Sequence, residues 1–307
     1  MDANGKLRAD YHIHTYFSDG AGTMEQLLEA STSKRLDAIA VTDHDVLDGA
    51  RWAYALNRHQ DCLAKLGVEP DIIVIPGIEV SSFVLRGGRQ DVVHILLLGI
   101  DPFDASLISL CDKLRVKRME QLRRRLEHAR KMGYDLGPEA EGRVLVHAFW
   151  GKQECARELV LRGEFEDVDS AYHSLWDSYD TASDLDAYVP AHLAIDAGHE
   201  SGGIAVLAHP LRDELGRRLI PMAEAEERIS LLQGIGLDGV ECFYSAFSPS
   251  LCHTLEGIAR ERGLVVSCGS DHHDYGRRFR LSRTCADGLN YGRRTDVLEA
   301  LGIATAG

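Results

Sequence analysis

A parallel α/β barrel interrupted by a helical insert is the fold class that this sequence of 307 residues predicts. Three observations carry it. Seven short strand-like runs occur along the chain, most of them followed by helical sequence. The stretch from about 102 to 199 is helical in character and has no good strand run. Histidines and carboxylates recur at the polar ends of the runs, which is where such barrels carry their chemistry. Continuous apolar strands separated by helices are what a sheet buried on both faces requires.

The elements follow in order. Residues 7–14 (LRADYHIH) alternate apolar and polar positions toward their end, and Asp19-Gly20 marks a turn. Thr23-Met-Glu-Gln26 has the form of a capping box, and Met24, Leu27 and Leu28 open a helical face behind it. AIAVTDHD (38–45) is a short β-branched run, followed by an alanine-rich helix, by IIVIPGIEVSS (72–82) and by VVHILLLGI (92–100). Lys113–Lys131 then holds nine Lys/Arg against two Glu, a local charge of +7, with Leu114, Met119, Leu122 and Leu126 as its apolar positions. Strand patterning resumes at GIAVLAHP (203–210), GLDGVECFY (236–244) and LVVSCGSDHH (264–273). The expected division is a first barrel part over 1–101, a helical cap over 102–199 and a second barrel part over 200–307.

Composition narrows the class. At 45% hydrophobic and 27% charged residues the chain is neither fibrous nor disordered. Its 34 basic and 48 acidic residues give a net charge of −14, which disfavours long-range attraction to nucleic acid or anionic membrane. No apolar stretch approaches the ~18 residues of a membrane span. The N-terminal MDANGKLRAD has no signal-like apolar region. A soluble, cytoplasmic protein without membrane partners is expected. The seven cysteines form no C-x-x-C pair, so reduced and mostly buried thiols are expected rather than a disulfide framework.

The polar residues at the run ends point to metal chemistry. His12 and His14 stand two apart on a strand, so both imidazoles reach the same side. Asp19 follows them, and the next runs carry Asp43-His44-Asp45, Glu79, His94, His209 and Asp271-His272-His273. A single H-x-H or one histidine in an apolar run is weak. At least six strand ends on one rim are not, because burying such groups unpartnered costs about 2–7 kcal/mol apiece. Coordination removes that penalty and accounts for the residue types.

HIHTYFSDG, VTDHDVLDG, PGIEVSS, VHILLLGID, AHP and GSDHH resemble, in order, the motifs of the polymerase and histidinol phosphatase (PHP) family of metal-dependent phosphoesterases. The match covers roughly residues 8–100 and 203–275, nearest to the small stand-alone bacterial branch with a helical insertion. The resemblance implies a distorted seven-stranded (β/α) barrel with an inserted helical cap. It also implies three divalent transition metal ions. His12, His14, Glu79 and Asp271 would hold the first, and Glu79 would bridge to a second bound also by His94 and His209. Asp19, His44 and His273 would hold the third. This mixture of imidazoles and carboxylates suits Mn, Zn or Fe.

Hydrolysis of a small phosphorylated metabolite by a metal-bridging hydroxide is the expected reaction, with His12, His14, Glu79 and Asp271 as the catalytic set. The resemblance implies nucleoside monophosphates, 3′,5′-bisphosphorylated nucleosides, oligonucleotide ends or cyclic sugar phosphates as substrates; a cap would exclude long duplexes. Arg118, Lys152, Arg157 and His272 are the expected substrate-binding residues, and Arg143, Arg212, Arg277 and Arg280 are further cations within reach. Two departures from the family pattern bear on the substrate. His272 stands where relatives have an aromatic residue, and Lys152 and Glu154 stand where they have Arg and His. Alternatives are a histidinol-phosphate phosphatase, a non-catalytic metal- or nucleotide-binding module, and an amidohydrolase, whose usual strand-four lysine is missing here.

Overall fold

All seven expected runs form strands, and one of them runs backwards. The computed structural model describes residues 7–58, 72–137, 152–213, 218–273 and 295–303. In it β1 (Ala9–Ile13), α1 (Met24–Ser33), β2 (Ala38–Val41), α2 (Asp48–Arg58), β3 (Ile73–Arg86) and β4 (Arg89–Leu98) build the first part of the barrel. The second part comprises β6 (Ile204–Leu207), α7 (Met222–Gln233), β7 (Gly239–Tyr244), α8 (Pro249–Glu261), β8 (Val265–Gly269) and α9 (Asp296–Ala300). The strand order is β1-β2-β3-β4-β6-β7-β8. Ile13 bridges to His272 just beyond β8, and the His14 N–H donates to the His272 carbonyl at 2.9 Å, so the sheet nearly closes into a barrel.

β1, β2 and β3 are mutually parallel, as are β6, β7 and β8, but β4 is antiparallel to both β3 and β6. The all-parallel expectation is corrected at this strand. Its cause is local: Gly87 and Gly88 have φ of 57° and 78°, the two left-handed positions of a tight hairpin turn. β3 and β4 therefore form one long hairpin, and His94 pairs with Ser81, two residues beyond Glu79.

The capping box is formed. Gln26 N–H donates to Thr23 Oγ1 at 3.3 Å, and Thr23 N–H donates back to Gln26 Oε1 at 3.0 Å. Met24, Leu27 and Leu28 are buried, as the pattern requires, and with Ile13, Ile39 and Val74 they make a satellite core. In the middle of the chain, α3 (Ala105–Lys131) starts on Asp104, whose side chain accepts from the Ser106 and Leu107 N–H groups. Leu107, Leu110 and Leu114 of α3 join the barrel core. Leu122 and Leu126 instead pack with α4 (Lys152–Leu161) and α5 (Val168–Trp176) in a separate cluster around Leu159, Leu175 and Trp176.

That separate core is narrower than 102–199. A two-residue strand, β5 (Val189–Pro190), pairs with β3 inside the segment expected to lack strands. Two residues are too few to show a periodicity. The helix behind it, α6 (Ala191–Glu200), places Ala194 and Ile195 in the barrel core. Arg123 is exposed, Arg124 pairs with Asp186, and buried Arg125 pairs with Asp184 at 2.7 Å, so the arginine triplet splits around the helix. Cys111, Cys155, Cys242, Cys252 and Cys268 are free thiols, all but the first buried. Among the described residues no helix is long and apolar enough to cross a membrane.

Candidate metal centre

Glu79 is the hub of the molecule. It lies at zero exposure on β3, where the long hairpin passes the barrel rim. Its Oε2 stands 3.1 Å from His12 Nε2, 3.1 Å from His14 Nε2 and 3.1 Å from His44 Nδ1. Its Oε1 stands 2.9 Å from His94 Nδ1 and 3.1 Å from His209 Nε2. Five imidazoles thus converge on one buried carboxylate from β1 and the residue after it, the loop after β2, β4 and the loop after β6. The reversed strand is what makes this work, since it turns His94 toward the same rim.

Two further carboxylates complete the cluster. Asp271 Oδ1 lies 3.4 Å from His12 Nε2, 3.2 Å from His14 Nε2 and 3.4 Å from His273 Nδ1. Asp19 Oδ1 lies 3.2 Å from His273 Nε2 and 3.6 Å from His14 Nδ1, and its Oδ2 lies 3.9 Å from His44 Nε2. Ligand atoms gather in three groups: His12, His14, Glu79 and Asp271; His44, Glu79 and His94; and His14, Asp19, His44 and His273. All nine expected ligands are in one cluster. The grouping differs in detail, because His14 and His44 each reach two groups and His209 joins through its contact with Glu79.

The donor set fits divalent transition metals. Glu79 Oε2 is buried and accepts no hydrogen bond among the described residues, although three ring nitrogens stand 3.1 Å away. An unsatisfied buried carboxylate oxygen is costly unless a cation takes its lone pairs. Imidazole and carboxylate together suit Mn, Fe or Zn. The backbone is also strained here: Asp45, His209 and Asp271 have φ of 55°, 27° and 52°, three of the four non-glycine left-handed residues among those described. Such conformations cost about 1–3 kcal/mol each and persist where surrounding contacts enforce them.

Electrostatics in the metal-free protein are those of a charge-compensated cluster. Burial alone would raise the pKa values of Asp19, Glu79 and Asp271, but the imidazoles beside them override it and hold all three below the usual range. Burial works against His14 as well, yet Asp271, Glu79 and Asp19 lift it to about 10. Burial dominates at His44, which is pushed down to about 3.

Other carboxylates hold the cluster in shape. Asp43 accepts from Thr15 N–H at 2.7 Å, Thr15 Oγ1 at 2.8 Å and Ser18 Oγ at 2.7 Å, which fixes the loop carrying Asp19. A Cβ at Gly49 would sit 2.1 Å from Asp43 Oδ2, so only glycine fits beneath it. Asp45 accepts from Ser81 N–H at 2.8 Å and from Arg118 Nε at 2.8 Å. Two residues escaped the sequence reading. Glu241 on β7 faces His12, and Tyr244 donates its hydroxyl proton to Asp271 Oδ2 at 2.8 Å. The available signal was a lone acid inside the apolar strand GVECFY.

The expected substrate residues are placed less favourably. Arg118 is buried at 9% exposure, and its guanidinium bonds Asp45, Gln121 and Ser81, so it ties α3 to the barrel instead of facing an opening. Lys152 stacks its ammonium 4.9 Å from the Tyr179 ring within the insert's own aromatic cluster. Arg157 donates to the Asp19 carbonyl at 3.3 Å and pairs with Glu154 at 3.3 Å, linking α4 to the Asp19 loop. His272 is buried, forms the β1 bridge through its backbone, and does not line the cavity described next. Arg143, Arg277 and Arg280 lie outside the described residues.

A cavity of about 250 Å³ opens over Glu79, His94 and His209, with Tyr188, Arg212 and Tyr244 in its wall. The Arg212 guanidinium lies 5.4 Å from the centre of the Tyr244 ring and donates to its hydroxyl at 3.3 Å. Buried Arg228 also reaches the wall, but it is held by both oxygens of Asp91 and by the carbonyls of Pro210 and Arg212.

Comparisons with known proteins place the chain among relatives of one family. The PHP domain family model matches residues 10–159. A phosphoribosyl 1,2-cyclic phosphate 1,2-diphosphodiesterase from Eggerthella lenta is 31% identical over 278 residues, covering 86% of this chain and 93% of that protein. A 3′,5′-nucleoside bisphosphate phosphatase from Chromobacterium violaceum is 30% identical over 277 residues, covering 86% of each. A solved structure from Bifidobacterium adolescentis shares the fold with a TM-score of 0.74 at 23% identity, covering 98% of this chain and 97% of that one.

Proposed function

This chain belongs to the PHP domain family of metal-dependent phosphoesterases, and from that premise we propose that it hydrolyses a small phosphorylated metabolite at a centre of three divalent ions. The observation that carries the proposal is Glu79, a fully buried carboxylate ringed by five imidazoles under a small cavity. We assign His12, His14, Glu79 and Asp271 to the first ion, Glu79, His94 and His209 to the second, and Asp19, His44 and His273 to the third. Bound there, divalent ions would polarise the phosphoryl oxygens and lower the pKa of a coordinated water.

The protein's own groups do the rest. Tyr244 holds Asp271 Oδ2, leaving Oδ1 toward the imidazoles. Asp43 and Asp45 fix the loops that present Asp19 and His44. Arg212, in the cavity wall, is a cation placed to bind a phosphate or to neutralise charge on the leaving group. The cavity of about 250 Å³ among the described residues suits a small phosphate ester. The cyclic diester and the bisphosphate that the two relatives cleave mark the substrate range to test.

The decisive assay measures phosphate release, or ring opening, from bisphosphonucleosides, cyclic sugar phosphates and histidinol phosphate by metal-analysed protein. Turnover of the first or second group supports the proposal; turnover of histidinol phosphate alone overturns the substrate assignment. Arg212→Ala is expected to keep full metal content and lower kcat/KM about 10- to 150-fold, equivalent to losing one charged hydrogen bond of about 1.5–3 kcal/mol. An unchanged kcat/KM on the best substrate would remove Arg212 from phosphate recognition.

A further inference from the structure

We propose that Glu241 is a positioning residue that sets two of the metal ligands from outside the cluster, fixing the ring of His12 with one carboxylate oxygen and the backbone of His209 with the other. The proposal rests on the metal-centre reading above and extends it to a residue that does not line the cavity over Glu79 and joins none of the three ligand groups.

The geometry is specific. Glu241 lies at zero exposure on β7. Its Oε1 is 3.0 Å from His12 Nδ1, and its Oε2 accepts from the His209 backbone N–H at 2.7 Å. Glu241 accepts the proton on Nδ1, so Nε2, which faces Glu79 and Asp271 at 3.1 and 3.4 Å, is the nitrogen that His12 would present to a metal ion. A ligating imidazole whose other nitrogen donates to a carboxylate has its tautomer and ring orientation fixed and its basicity raised.

The second oxygen acts on a strained turn. His209 has φ of 27°, a left-handed conformation that a non-glycine residue holds only under constraint. Glu241 holds its N–H, and buried Arg228 holds the Pro210 and Arg212 carbonyls just downstream at 3.1 and 2.9 Å. The turn is therefore clamped on both sides of the imidazole.

The barrel makes room for this contact in three places. β1 carries a bulge between Asp10 and Ile13, around His12, and β7 carries one between Glu241 and Phe243. Bulges re-aim side chains beside functional sites. On β8, a Cβ at Gly269 would lie 2.2 Å from His12 Cβ and 2.3 Å from Glu241 Oε1, so a side chain there would separate the pair.

The test uses the full chain loaded with Mn²⁺ or Zn²⁺, and reads metal binding without any substrate. Glu241→Gln keeps size and one acceptor but cannot accept from both N–H groups; Glu241→Ala removes both contacts. Expected is a 10- to 100-fold weaker affinity for the metal in Glu241→Gln, measured by chelator competition, with a larger loss in Glu241→Ala. The metal-free Glu241→Gln protein should retain the wild-type circular dichroism spectrum. Wild-type affinity in Glu241→Gln overturns the positioning role even if the protein proves a phosphoesterase. A wild-type protein that binds no metal overturns both the centre and this role, and an inactive wild type that binds metal normally overturns only the proposed function.

Discussion

Glu79→Gln should bind fewer metal ions than the wild type and lose turnover by more than about 100-fold, the upper end for removing only an outer partner of a metal ligand. The loss follows from position. Both oxygens of Glu79 face imidazoles, three across Oε2 and two across Oε1, and the residue is assigned to two of the three ions. Replacing one oxygen by an amide removes the negative charge and places two N–H donors among ring nitrogens that must themselves be free to ligate. The barrel should survive, because the Glu79 N–H and C=O still bond the Asp43 carbonyl at 3.1 Å and the Asp45 N–H at 3.0 Å. Elemental analysis and steady-state kinetics on the same preparation check both halves. Full metal content with wild-type kcat would remove Glu79 from the centre.

The second large effect is on pH. Metal binding should expel protons, so affinity should rise about tenfold per pH unit for each proton displaced. In the metal-free protein burial disfavours the charged imidazole of His14, but Asp271, Glu79 and Asp19 raise its pKa to about 10, so its proton is present at pH 7 and must leave before the ring can ligate. His44, pushed down to about 3 chiefly by burial, is already neutral. Between pH 6.5 and 8.5 the apparent affinity should therefore climb with a slope of at least one, read by chelator competition or by calorimetry in buffers of different ionisation enthalpy. The same group gives the metal-free protein stability that is complete below the ordinary histidine value of 6.5 and is lost as pH rises through about 10. Thermal melts of the metal-free and metal-loaded protein should diverge as the pH becomes alkaline. A pH-independent affinity would show that metal binding displaces no proton from these imidazoles.

Local chemistry made much of this protein readable before its structure. The Thr23 capping box, the buried face of Met24, Leu27 and Leu28 and the seven strand runs all follow from spacing along the chain, where neighbours in sequence are neighbours in space. Candidates for the centre were legible for the same reason, since His-x-His on a strand and acids beside histidines at strand ends are patterns written in a few consecutive positions. The resemblance to the family motifs singled out nine of them, and the fold brings those nine together. The reversed β4 has a local sign in Gly87-Gly88, whereas the alternation of strand and helix runs by itself reads as a parallel sheet.

What the sequence alone determined, then, is the seven strands of the barrel, the residue types of the centre and the class of chemistry they serve. Tertiary structure decided which of the many cations meet the site. Arg118 and Arg212 are equally basic in sequence, yet one is enclosed by Asp45, Ser81 and Gln121 while the other stands in the cavity wall. Tertiary structure also decided that Glu241 and Tyr244 serve His12 and Asp271, across 229 and 27 residues of chain. The physical reason is that periodicity reports only which face of an element a side chain occupies. Which partner it meets there depends on strand order, direction and bulges, and those are set by packing between segments far apart in the chain.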